Sequence, residues 1–396
     1  KQDECTVFPV FSAHFESIRY SIVQRRAIYP RNENTILKEY GLRIGELDSG
    51  PRNTICDVSG VLVGQCTISD GPVQTGVTAL LPHPGNCFRD KVLAACRVLN
   101  GFGKSLGLVQ VEELGTIETP ILLTNTFSVG TVAEATIRHM LGSNPEIGVS
   151  TGTVNPLVLE CNDGYLNDIR GMHVRGEHVR AAIDDASDEF AQGAVGAGRG
   201  MSCYELKGGI GSSSRLVPIG DERYHVGVLV LSNFGERGDL VVDGIRVGGR
   251  LDAEGRCDES GSVIVVIATD IPLSERQLRR LCLRASVGIT RTGSFIGNGS
   301  GEIAVAFTTA NRVPHFPGER RILPLRSLHD DAINVVFRAV VEATEEAVLC
   351  SMLHAEEVTG RGGHRRTSLT SYAHLFRRQN QPVSFRNNLR SSPTSE

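Results

Sequence analysis

A glycine followed by a serine at the mouth of an apolar run is the first place where this sequence could do chemistry. Glu259-Ser-Gly261-Ser262 leads straight into Val263-Ile-Val-Val-Ile-Ala268, so Ser262 stands at the first position of a buried strand. A loop entering a core strand would carry the same residue types, and that plain reading stands beside a chemical one. Glycine tolerates a strained backbone, and the serine hydroxyl can attack the preceding carbonyl in an N→O acyl shift. Cleavage there would leave Ser262 with a free α-amine. Its unperturbed pKa of about 7.7–8.0 is close enough to neutral to help activate its own hydroxyl.

Further on lies Gly297-Asn-Gly-Ser300-Gly-Glu302, again a glycine loop entering a strand. In an extended segment Ser300 and Glu302 are i and i+2 and point to the same face. A hydroxyl beside a carboxylate could orient and polarise a nucleophile. Upstream, Leu231-Ser-Asn233-Phe-Gly235 ends an apolar run with an amide side chain, the kind of donor an oxyanion hole uses.

The elements that must position these groups are legible as short apolar runs between Gly, Asn, Asp and Ser turns. Val61–Val63, Gly76–Leu81, Pro120–Leu123, Pro156–Leu159, His225–Leu231, Ser262–Ala268 and Glu302–Phe307 are predicted strands. Asp239–Val247 is predicted to be a hairpin turning at Asp243-Gly244. Helical spacing runs over Val129–Leu141, His178–Ala186, Ser274–Ile289 and Asp331–Leu353, and Ser274-Glu-Arg-Gln277 fits a capping box. Strict strand–helix alternation is absent, so the expectation is a layered α/β sandwich around one or two sheets. The first 38 residues are expected to form an N-terminal extension, 39–357 a single catalytic domain, and 358–396 a basic, disordered or surface-wrapping tail. That tail carries seven arginines against one acid, Glu396.

Other motifs yield to plainer explanations. The glycine clusters 196–200, 208–211 and 297–301 lack the dinucleotide and P-loop patterns and are expected to be turns. Two stretches fit the nucleophile-elbow string, around Ser105 and Ser150, but neither is followed by a convincing helix, so both are expected to be loops. His173 and His178 are five apart, off a common helical face, and are expected to be structural. The ten cysteines form no CxxC pair, which argues against structural zinc and, with no secretion signal visible, for a reducing, cytoplasmic setting.

With 41 Lys+Arg against 45 Asp+Glu, the net charge of −4 gives no global reason to expect nucleic acid as a partner. The longest apolar run is far short of the ~20 residues of a membrane span. Glycine, 44 of 396 residues, is in excess and points to tight turns and close backbone approaches.

Taken together, the residues resemble the β-peptidyl aminopeptidase / L-aminopeptidase–D-esterase family of self-cleaving serine hydrolases. The resemblance runs from about Gly41 to Leu353. It rests on Asp57-Val-Ser-Gly-Val-Leu-Val-Gly64, Thr75-Gly-Val-Thr-Ala-Leu-Leu-Pro82, Thr124-Asn-Thr-Phe-Ser-Val-Gly130 and Asp163-Gly-Tyr-Leu-Asn-Asp168. Lys207-Gly-Gly-Ile-Gly211, Ala268-Thr-Asp270-Ile-Pro-Leu273 and Arg291-Thr-Gly-Ser294, with Gly297–Glu302, complete it.

The resemblance implies a four-layer αββα sandwich like that of the N-terminal-nucleophile hydrolases, but connected differently. It implies cleavage between Gly261 and Ser262 into two fragments that stay associated. Ser262 matches the nucleophile, Ser300 and Glu302 the pair that activates it, and Asn233 the oxyanion donor. Glu160, with Asn162 and Tyr165 just beyond, falls where family members hold the substrate's free amine. Neither a metal nor an organic cofactor is implied. Ring-like tetramers of the cleaved unit are typical of the family, so a homo-oligomer is expected. Asn298-Gly-Ser300 is formally a glycosylation acceptor, and a glycan there would bury the site, which also favours an intracellular setting. The expected activity is removal of N-terminal residues from short peptides, amides or esters. The rival is an uncleaved, non-catalytic member acting as a ligand-binding or scaffolding module; a conventional esterase using Ser105 or Ser150 is a third.

Overall fold

The computed structural model describes residues 36–251, 260–318 and 321–378. Two sheets stack face to face. One has four strands: β1 (Leu62–Asp70), β2 (Val73–Leu81), β5 (Ile121–Asn125) and β6 (Leu157–Cys161), in the order β1-β2-β5-β6. The other has six, in the order β4-β3-β10-β9-β8-β7. Its members are β3 (Asp90–Gly101), β4 (Thr116–Ile117), β7 (Gly209–Ile219), β8 (Glu222–Asn233), β9 (Ser260–Thr269) and β10 (Gly299–Pro314).

Only two strand pairs in these sheets are parallel, β5–β6 and β9–β10. Parallel neighbours need a crossover, and in both cases it is a helix that lies on the outer face of its own sheet. After β5 comes α1 (Val129–Ser143), and after β9 comes α3 (Glu275–Arg291). Two more helices, α2 (Gly176–Asp184) and α4 (Asn334–Leu353), complete the outer layers.

Alternation along the strands then separates three apolar clusters. Val77, Ala79, Leu122 and Val158 pack against α1 and α2. Leu80, Leu123 and Leu159 meet Leu231, Ile264, Val266, Ile303 and Val305 between the sheets. Val228, Val230, Val263, Val265, Ala304 and Ala306 pack under α3 and α4. The result is the expected αββα sandwich.

The capping box at Ser274 forms as its sequence implies: the Ser274 hydroxyl accepts from Gln277 N at 3.4 Å, and the Gln277 side chain accepts from Ser274 N at 3.1 Å. The hairpin also forms, Val241–Val242 with Ile245–Arg246, turning through Asp243 and Gly244 at φ of +48° and +76°. His173 pairs with Asp168 at 3.2 Å and His178 accepts from Arg175 N at 3.0 Å, so both serve local structure.

Four features depart from expectation. The strand β3 went unread, because both its faces are buried along much of its length and it shows no alternation. Gly208–Gly211, expected as a turn, largely lies in β7. A Cβ on Gly211 would stand 2.0 Å from Ala347 O of α4, so glycine there permits close helix-on-sheet packing rather than a bend. A helix, Leu108–Leu114, does follow the first elbow-like string, but the Ser105 hydroxyl has no hydrogen-bond partner among the described residues, so no histidine activates it.

The fourth concerns the disordered alternative for the tail, which residues 358–378 do not follow. Residues 358–378 are laid onto the sandwich: Val358–Thr359 pairs with Arg365–Arg366, and Leu369 and Phe376 are buried in the cluster under α4. Apolar side chains spaced along a basic segment supplied anchors that its charge concealed. Of the expected N-terminal extension, residues 1–35 lie outside the described residues, as do 379–396 of the tail.

Candidate active site

Ser262 enters β9 between two neighbouring strands. The antiparallel register with β8 sets Asn233 opposite Ser262. The parallel register with β10 sets Gly301 opposite Ser262, Ser300 opposite Gly261, and Glu302 opposite Val263. Adjacent strands lie about 4.8 Å apart. Residues far apart in sequence thus converge on one bond. Ser262, Ser300, Glu302 and Asn233 are all buried.

Side-chain phase divides them into two sets. Ser262 is in phase with Ile264 and Val266, which enter the core between the sheets. Ser300 and Glu302 are in phase with Ala304 and Ala306, which lie under the helices. The Ser300–Glu302 pair therefore flanks the main chain of Ser262 from the face opposite its hydroxyl.

Gly261 has φ of +139°, and a Cβ there would lie 2.0 Å from Asn233 O. No other residue type fits without displacing β8 or β9. The loop leading to Ser300 is held by Asn100, whose side-chain nitrogen donates to the carbonyls of Gly297 at 3.1 Å, Asn298 at 3.3 Å, and Ser300. Just before it, Ile296 sits at φ of +60°, a conformation that β-branched residues avoid.

The Asn233 amide is held at both ends. Its Oδ1 accepts from Ser202 N at 2.8 Å, and its Nδ2 donates to Asn162 O at 3.0 Å. A backbone N–H can only donate and a carbonyl only accept, so the orientation of the amide is fixed by chemistry. The second Nδ2 hydrogen is the one that can serve an incoming oxyanion.

Glu160, at the end of β6, is a buried carboxylate accepting from Lys104 N at 2.7 Å and from the Thr126 hydroxyl. Asn162 caps its own turn, accepting from Gly164 N at 2.9 Å, while its carbonyl takes the Asn233 amide. Tyr165 is partly exposed and lies between the His364 ring, 4.6 Å away, and the Arg366 guanidinium, 3.7 Å from its centre. Of the three, Asn162 is bonded directly to an earlier-named site residue.

Several neighbours escaped the sequence reading. The Cys161 thiol donates to Leu231 O at 3.5 Å, and the Ser262 hydroxyl is near enough to ease its ionisation. Burial pushes that thiol well up, and the nearby Glu160 and Glu302 charges act in the same direction. Burial likewise pushes Asp163 up to about 7, against hydrogen bonds from Thr75 and Asn167. Lys207 buries its ammonium among three carbonyls, those of Gly198, Met201 and Gly208, at 3.0, 2.8 and 2.7 Å. Burial pulls it well below the ordinary lysine range. Ser202 carries no motif of its own, and Thr126 and Lys104 lie in motifs that gave no hint of these contacts; the roles of all three exist only through contacts made across the fold.

This fold and this site define a class. The chain belongs to Peptidase family S58, whose model matches residues 53–366, and it is a serine-type peptidase. It is 39% identical over 336 residues to the beta-peptidyl aminopeptidase BapA of Sphingosinicella xenopeptidilytica, covering 78% of this chain and 83% of that one. Among solved structures it is similar to the PH0078 protein of Pyrococcus horikoshii OT3, with 52% identity, a TM-score of 0.82, and 86% and 97% of the two chains covered. It is also similar to the L-aminopeptidase D-Ala-esterase/amidase of Ochrobactrum anthropi, a variant of the Ntn-hydrolase fold, with 35% identity, a TM-score of 0.80, and 85% and 96% covered.

Proposed function

We propose that Gly261–Ser262 is the bond this serine-type aminopeptidase breaks in itself, and that Ser262 then serves as its N-terminal nucleophile. The Ser262 hydroxyl attacks the Gly261 carbonyl, the C–N bond breaks, and the hydroxyl proton passes to the departing amine. Water hydrolyses the resulting ester, leaving a Gly261 carboxylate and a Ser262 with free amine and hydroxyl. The observation that carries this reading is the clamp on one peptide bond: Asn233 opposite Ser262 on one side, Ser300 and Glu302 across the ladder on the other, and a glycine no other residue can replace.

In turnover, Ser262 Oγ attacks the scissile carbonyl of a short peptide, amide or ester and gives its proton to its own amine. Ser300 and Glu302 flank the main chain at that amine and hold the charge it gains. Asn233 Nδ2 donates to the oxyanion; such a donor is worth about 2.7–4 kcal/mol in the transition state. The amine carries the proton to the leaving group, and water then releases the acyl group. Glu160 takes the substrate's free ammonium, and Asn162 and Tyr165 border it. No cofactor enters these steps.

The reading extends to a homo-oligomer of the cleaved unit, which the exposed Leu106, Val109 and Leu114 support. A cytoplasmic setting belongs to it as well, supported by eight free cysteines among the described residues. No helix among these residues is long and apolar enough to cross a membrane. Paired anilide substrates with free and acetylated amines test the exopeptidase assignment. Only the free-amine substrate is expected to turn over, and equal cleavage of both would refute it.

A further inference from the structure

We propose that Arg366 is a positioning residue for the oxyanion donor, setting Asn233 by binding at once the two segments that hold the ends of its amide. This rests on the role given to Asn233 above. Arg366 Nε donates to the Ser202 hydroxyl at 3.1 Å, and Ser202 N donates to Asn233 Oδ1 at 2.8 Å. The same guanidinium stacks 3.7 Å from the centre of the Tyr165 ring, and that loop begins at Asn162, whose carbonyl takes Asn233 Nδ2 at 3.0 Å.

The loop is secured from the same segment by three further bonds. Arg361 donates through Nε to Gly164 O at 2.6 Å and through its backbone N to Leu166 O at 2.7 Å, while His364 Nδ1 bonds Tyr165 O at 2.9 Å. One cation therefore joins Ser202 to the 162–165 loop, with Asn233 suspended between them.

The segment itself does not depend on the Arg366 side chain. Residues 365–366 pair with 358–359, Lys207 N donates to Thr367 O at 3.0 Å, and Leu369 and Phe376 are buried. Removing the guanidinium leaves the segment docked and loosens what it bridges. A donor that preorganises a transition state loses its effect when it drifts: a displacement of about 1 Å costs up to about 100-fold in rate.

The test compares the parent with Arg366→Ala, Asn233→Ala and the double variant, measuring kcat and KM on a free-amine anilide with rates normalised to the cleaved fraction. Arg366→Ala is expected to lower kcat about tenfold, with a smaller rise in KM through the loosened Tyr165, and Asn233→Ala to lower kcat about 10²–10³-fold. The kcat of the double variant is expected to be no lower than that of Asn233→Ala, because Arg366 acts on kcat through that amide. Arg366→Lys is expected to lose as much as the alanine variant, since an ammonium cannot stack and fork as a guanidinium does.

Parental kcat in Arg366→Ala, or its full loss repeated on top of Asn233→Ala, overturns the proposal. Should Arg366→Ala fail to fold, Ser202→Ala removes the hydroxyl and keeps the backbone donor. Its kcat loss must likewise vanish in the Asn233→Ala background, and parental kcat there overturns the proposal too. Parental kcat in Asn233→Ala instead refutes the oxyanion role itself, and the two failures are told apart by that single variant.

Discussion

Gly261→Ala is the substitution whose consequences follow most directly from the structure. At φ of +139° an alanine occupies sparsely populated backbone space, at a cost of about 1–3 kcal/mol. Its Cβ would also stand 2.0 Å from Asn233 O, where an ordinary contact needs about 3.5 Å. Something must move by more than an ångström, and what moves is the register that sets Asn233 opposite Ser262. A misplacement of about 1 Å between reacting groups costs about 100-fold in rate. Self-cleavage of the variant, followed by denaturing mass analysis of freshly folded protein over time, is therefore expected to slow about 100-fold. Its thermal midpoint should fall by an amount matching about 1–3 kcal/mol. An alanine variant that cleaves at the parental rate would refute the steric argument, whatever its stability.

Other perturbations probe the same architecture. Glu160→Gln keeps the shape and removes the charge, so kcat/KM on free-amine substrates should fall at least about 30-fold, with self-cleavage intact; an unchanged kcat/KM removes Glu160 from amine recognition. Glu346→Ala strips a carboxylate 2.6 Å from the buried Arg215 guanidinium, which keeps Glu342 at 3.4 Å, and denaturant unfolding should register a loss of about 1–3 kcal/mol. Asp163 gives a pH prediction. Its carboxyl titrates at about 7 when folded but at about 3.9 when unfolded, so between those values the native state holds a proton the unfolded chain has released. Stability therefore falls as pH rises across that window and levels off above it. In Asp163→Asn that slope should flatten, as thermal midpoints at pH 5 and 7.5 will show.

The convergence of Gly261–Ser262 with Asn233, Ser300 and Glu302 was readable because these residues sit where loops meet strands, and there residue type is unusual: Gly-Ser at a strand entrance, an amide ending a run of Val and Leu, Ser and Glu two apart. The outer helices were readable for the same reason, through caps and period. What stayed hidden was whatever depends on packing across layers. Residues 90–101 carry buried side chains on both faces, so no alternation marks β3. The glycines of β7 imitate a turn, although Gly211 admits the backbone of α4 and Gly209 the carbonyl of Gly193. Arg215 needs Glu342 and Glu346 on a helix more than a hundred residues away. Cys161 reads as a small core residue until β6 lies over Ser262, and Arg366 reads as one charge in a basic tail until Leu369 and Phe376 fix where the segment lies.

Denaturing mass analysis of the purified parent beside Ser262→Ala asks whether one serine both cuts the chain and then catalyses. Fragments of 261 and 135 residues are expected from the parent and one intact chain from the variant, since only the hydroxyl can begin the acyl shift. A parent that folds and stays whole, or a variant that cleaves at the same bond, would contradict it.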